Sequence, residues 1–141
     1  MVWIIIPIIA LVGYILIRFI RELKKDNSDL QDKTLDQLFF VIVNRINDVA
    51  FIGRGIIHPV NKTEFSLYET GQNQIIIFQY STGHLTLTWK YKYFHNEVVH
   101  SKQFNFVRNI SIDQQQEIAE QMINEMTNVV AKHKDKVLRG M

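Results

Sequence analysis

Three histidines, His84, His95 and His100, fall close together in the chain. Neutral imidazoles are good zinc ligands, so three on neighbouring strands would make a conceivable metal site. The spacing works against it. His84 opens an alternating run that ends near Phe94, whereas His95 and His100 flank the turn that follows. At about 3.3 Å per residue, roughly 35 Å separates the two ends. The carboxylates Glu64, Glu69 and Glu97 each fall at a strand end or turn, not where burial would raise a pKa toward general acid–base work. Gly53-Arg54-Gly55 lacks the third glycine and the Lys-Ser/Thr pair of a phosphate loop, and reads as a turn or strand irregularity. No serine lies in a nucleophile-elbow pattern. With no cysteine, disulfides, thiolate metal sites and cysteine nucleophiles are excluded. The chain is therefore read as non-catalytic, and no cofactor is expected.

The most suggestive stretch is Trp89-Lys90-Tyr91-Lys92-Tyr93-Phe94. Aromatic and basic residues on one strand suggest a stacking platform for single-stranded nucleic acid. Strand alternation puts Trp89, Tyr91 and Tyr93 on one face and Lys90 and Lys92 on the other, whereas a platform needs both on the same surface. No nucleic-acid partner is expected. Trp89, Tyr91 and Tyr93 face the core or line a pocket between sheet and helices. Lys90 and Lys92 form the wet reverse, a candidate surface for a protein partner or anionic lipid.

The elements that must position these residues follow from periodicity. Thr34-x-x-Gln37 matches a capping box, and Leu35, Leu38, Phe39, Ile42 and Ile46 recur at helical spacing behind it. A helix over about 35–47 follows, with a strand over 38–43 as the alternative. The segments 64–68, 74–80, 84–94 and 98–107 read as strands joined by short turns at 69–73, 81–83 and 95–97, hence antiparallel neighbours. Residues 51–60 add a fifth strand, interrupted at Gly53-Arg54-Gly55 and ended near Pro59. Ser111-x-x-Gln114 is a second capping box, followed by a stripe of Ile118, Met122, Met126 and Val129 or Val130 in a helix over about 113–133. The fold class is α+β: an antiparallel meander of four or five strands covered on one face by an N-terminal and a C-terminal helix.

Residues 1–17 carry no charged side chain, and Val2 to Ile20 is long enough for a helix to cross a hydrocarbon core about 30 Å thick if Arg18 reaches back to the headgroups. Trp3 before the core of the run, and Arg18, Arg21, Lys24 and Lys25 at its end, suit the two interfaces. A cleaved leader would need a basic start and small residues at a cleavage site, and an interfacial helix would need a polar face. The expectation is an uncleaved transmembrane anchor over 1–20, a polar juxtamembrane linker over 21–33 that could continue the helix, and a domain over 34–141. Basic residues follow the span and none precedes it, which places the N-terminus outside and the domain in the cytoplasm, at the inner membrane of a bacterial cell if the Ile, Asn and Lys content reflects an AT-rich genome.

The whole chain has 141 residues, 47% of them apolar and 21% charged, with a formal charge of +2. It is too apolar to be disordered and too weakly charged to coat nucleic acid. The expected function is a single-pass, membrane-anchored interaction or assembly subunit that docks a protein partner or self-associates. The alternative is a membrane-tethered module sensing a small ligand or lipid headgroup in a pocket lined by Trp89, Tyr91 or Tyr93.

Overall fold

The computed structural model describes residues 2–29 and 33–140. An apolar helix α1, Val2–Asp29, precedes a short helix α2, Leu35–Leu38, and α3, Phe40–Phe51. Five strands follow: β1 Ile56–Asn61, β2 Glu64–Tyr68, β3 Gln74–Ser81, β4 His84–Tyr93 and β5 Asn96–Phe104; α4, Ile112–Arg139, closes the chain. The fold is α+β, and the strands lie in sequence order β1-β2-β3-β4-β5, all antiparallel.

Pleating sorts the sheet into two faces. Phe65, Leu67, Ile76, Phe78, Tyr80, Leu85, Leu87, Trp89 and Phe104 are buried on one face. Against them pack Leu35, Phe39, Ile42, Val43, Ile46 and Phe51 from α2, α3 and the junction between them, with Ala119, Met122, Ile123 and Met126 from α4. Phe65 and Phe78 stack at 4.5 Å between ring centroids, and Phe39 meets Tyr80 at 5.6 Å. The two helices are clamped to each other at the surface by Arg45 and Glu120, and Glu120 raises the guanidinium pKa through a side-chain hydrogen bond and its charge. The opposite face of the sheet is wet, with Thr88 and Ser101 paired across β4 and β5 at 3.0 Å.

Several boundaries differ from the sequence reading, each for a local reason. The helix expected over 35–47 is two helices, broken at Phe39, where φ −112 and ψ 36 leave the helical region. The break frees the Leu38 carbonyl, which accepts from Gln115 Nε2 on α4 at 3.1 Å. The second piece continues to Phe51 and stops at Ile52, a left-handed cap (φ 54) that costs a β-branched residue roughly 1–2 kcal/mol. Gly53-Arg54-Gly55 is thus the exit from a helix, and β1 begins only at Ile56. The β4–β5 turn is Phe94-His95, both left-handed (φ 50 and 64), between the paired Tyr93 and Asn96. β5 consequently starts at Asn96, and it ends at Phe104 because Phe106 turns left-handed (φ 56). Both sequence-predicted capping boxes place their glutamine: Gln37 Oε1 accepts from Thr34 N at 3.2 Å and Gln114 Oε1 from Ser111 N at 2.9 Å. α4 outlasts its expected end at His133 by a turn and a half, reaching Arg139. α1 continues as helix through the polar residues after Ile20, with residues 30–32 of the expected linker outside those described.

Candidate functional site

Strand β4 presents Trp89 to the core at 4% exposure, between Ile76 of β3 and His100 of β5. Its indole N–H donates to Gln74 Oε1 at 2.9 Å, and Gln74 Nε2 donates to the Ala50 carbonyl at 2.9 Å. That relay joins β4, β3 and the last turn of α3, and it consumes the polar end of the tryptophan. Tyr91 is half-buried one pleat further on, and the Lys134 ammonium of α4 lies 5.7 Å from its ring and 5.4 Å from that of Tyr93.

Trp89 and Tyr91 do line a common cleft, with Val49, Met126 and Val130. Its volume is about 220 Å³, below the roughly 300–1,000 Å³ of ordinary small-molecule sites. Tyr93 is not part of it; its ring packs against Phe94, with ring centroids 4.5 Å apart. Of the three aromatics read as lining a pocket, Trp89 and Tyr91 share this cleft. Replacing Gln74 by leucine leaves the Trp89 N–H and the Ala50 carbonyl without their partner, and should cost about 2 kcal/mol. The check is the thermal midpoint of the full chain in detergent; an unchanged midpoint would show the relay to be dispensable.

Lys90 and Lys92 lie on the wet face, opposite Val99 and Glu97 of β5. His84 pairs with Ser81 at one end of the sheet, His95 occupies the turn at the other, and His100 sits opposite Trp89 with Nε2 buried and unbonded. Glu64 accepts from Gln79 at 2.6 Å and Glu69 lies 3.7 Å from Arg54. Among the described residues no group of three or more His, Cys, Asp or Glu side chains could hold a metal ion.

In α1, Trp3–Arg21 is a 19-residue apolar stretch of mean hydropathy 2.4, none of it buried, long and apolar enough to cross a membrane. Trp3 is 88% exposed, and Arg18, Arg21 and Lys24 are exposed; the Lys25 side chain lies outside the described residues. The structure adds one feature that sequence reasoning missed. Tyr14, Arg18 and Phe19 of α1 border a groove of about 610 Å³ whose other wall is the β3–β4 turn and the loop after β5, with His84, Phe106 and Arg108. Residues so far apart in sequence give no joint signal. No protein-family model, no curated protein and no solved structure matches the chain.

Proposed function

We propose that this chain is a single-pass, membrane-anchored, non-catalytic interaction or assembly subunit, with its α+β domain on the cytoplasmic side of a bacterial inner membrane. The observation that carries the reading is the contrast between its two parts. One is an exposed apolar helix of spanning length; the other is a domain with a filled core, in which the cleft beside Trp89 and Tyr91 holds about 220 Å³. A helix with no polar face and no protein burial needs lipid around it. Arg18 and Arg21 at the end of the span, with Lys24 and Lys25 beyond it, favour a cytoplasmic domain.

The docking surface that fits best is the β5 edge. An outer strand offers unpaired backbone groups for strand addition. β5 runs nine residues without proline and, among the described residues, pairs only with β4, whereas β1, the other edge, carries Pro59 and a register shift there. Lys90 and Lys92 flank the same edge on the wet face. Confinement to a membrane raises the effective concentration of such a module near its partner.

Purification of the full chain in mild detergent should bring down a stoichiometric protein partner or a homo-oligomer. A clean monomer with nothing bound would overturn docking. Protease added to intact spheroplasts should leave the domain uncut; its digestion there would reverse the assigned orientation.

A further inference from the structure

The groove between α1 and the end of the sheet has the chemistry of an anion site placed at headgroup depth. We infer that it holds the phosphate headgroup of an anionic phospholipid from the leaflet into which α1 inserts. The inference rests on the membrane-anchored reading above and adds a specific ligand to it.

Arg18 from the helix and Arg108 from the loop after β5 line the groove, and no carboxylate is among its described lining residues. Guanidinium groups match phosphate oxygens in a bidentate fork. Arg108 is positioned by the turn it lies on. Gly83 is left-handed (φ +77), and a Cβ there would come within 3.1 Å of Arg108 Nη2 and 3.4 Å of its Nε. A side chain at position 83 would strain the left-handed backbone and push the guanidinium outward by a few tenths of an ångström. His84 Nδ1 accepts from the Phe106 backbone N–H at 3.1 Å. The imidazole in that bond is the tautomer with its proton on Nε2, which remains a donor.

The apolar side of the groove identifies the anion as part of a lipid. Phe106 is 82% exposed on a left-handed residue (φ 56), held edge-on to the His84 ring at 5.3 Å. A strained backbone that holds a phenyl ring out in solvent is a costly arrangement for a soluble surface and an ordinary one at a membrane interface. Tyr14 and Phe19 supply apolar surface alongside. Arg18 precedes Arg21, the end of the apolar stretch, by three residues, a rise of about 4.5 Å, which puts its guanidinium within reach of the phosphate layer. Free phosphate would use the cations alone and leave Phe106, Tyr14 and Phe19 without a role.

The full chain in detergent, stripped of lipid, is titrated with short-chain phosphatidylglycerol or phosphatidylcholine and the bound lipid is counted by native mass spectrometry. Phosphatidylglycerol should be retained about tenfold more strongly, and Arg108→Gln should remove most of that preference. Arg18→Gln lies on an exposed helix outside the domain core and should lower retention about fivefold or more, so the result does not depend on Arg108→Gln folding. Phe106→Ser should weaken both lipids. Equal retention of the two lipids, or wild-type preference in Arg18→Gln, would overturn the inference. So would displacement of the lipid by an equal concentration of inorganic phosphate, which would make this a free-anion site. Fractionation of the same cells separates the two levels. A chain that pellets with membranes yet shows no lipid preference loses the headgroup site alone, whereas one that never pellets loses the anchor as well.

Discussion

Replacing Leu11 and Val12 together by aspartate will move the full chain from the membrane pellet to the supernatant. Both residues sit near the middle of the apolar stretch and are 59% and 51% exposed, so neither contributes to the protein core. Adjacent aspartates cannot pair with each other on a helix. At the centre of a spanning helix each exchange costs about 3 kcal/mol or more, and two together shift the partition by roughly four orders of magnitude. Neither residue lines the groove beside the β3–β4 turn, so the domain should keep its thermal transition after release. Paired alanines at the same positions should leave the chain in the pellet. A double-aspartate chain that still resists carbonate extraction would remove the anchor from the proposed function, because no other surface of comparable apolarity is described.

The parts of this fold legible in the sequence were those governed by local period and local hydrogen bonding. β4 reads directly as a strand because Leu85, Leu87 and Trp89 face the core while Thr86, Thr88 and Lys90 do not. The helix starts at Thr34 and Ser111 are legible because a capping box is completed within four residues. The break at Phe39 is not, since Leu35, Leu38, Phe39, Ile42 and Ile46 keep helical spacing straight through it. What compensates the break is Gln115, on another helix. The β4–β5 turn was misplaced by two residues because Phe94 and His95 adopt left-handed backbone that sequence rules assign to glycine or asparagine.

The candidate site divides along the same line. Lys90 and Lys92 were separable from Trp89, Tyr91 and Tyr93 by alternation alone. Whether the aromatic face enclosed a ligand depended on how closely α3 and α4 approach it, and they approach closely enough to leave about 220 Å³. The rim beside α1 depends on contacts between the first helix and loops more than sixty residues later, which no local pattern encodes. The two surfaces also lie at opposite ends of β4. Lys92 is eight residues from His84, about 26 Å along a strand. If the rim meets the bilayer, Lys90 and Lys92 stand well clear of it and suit a protein partner better than lipid.

Gly55→Ala should destabilise the domain by about 3 kcal/mol, the largest effect expected from adding a single methyl group. Gly55 needs no unusual backbone angle; what it needs is space. A Cβ there would meet Asn47 Oδ1 at 2.6 Å, Phe51 Cδ2 at 2.8 Å and Leu67 Cδ1 at 3.0 Å. Phe51 and Leu67 are 2% and 0% exposed, so neither can swing aside without opening the core. Asn47 is also held, because its Oδ1 accepts from the Gly55 N–H at 2.8 Å. The methyl therefore pushes apart the junction where α3 hands the chain to β1 and β2. For a domain of this size the thermal midpoint of the full chain in detergent should fall by about 12 °C or more. A double-mutant cycle separates the contacts. Asn47→Ala alone should cost about 1 kcal/mol for the lost hydrogen bond. Combined with Gly55→Ala, the total should fall short of the sum, because the shortest clash is gone while Phe51 and Leu67 remain. Strict additivity would mean that Asn47 does not set the limit at this site, and a midpoint unchanged in Gly55→Ala would show that the helix exit is looser than its packing implies.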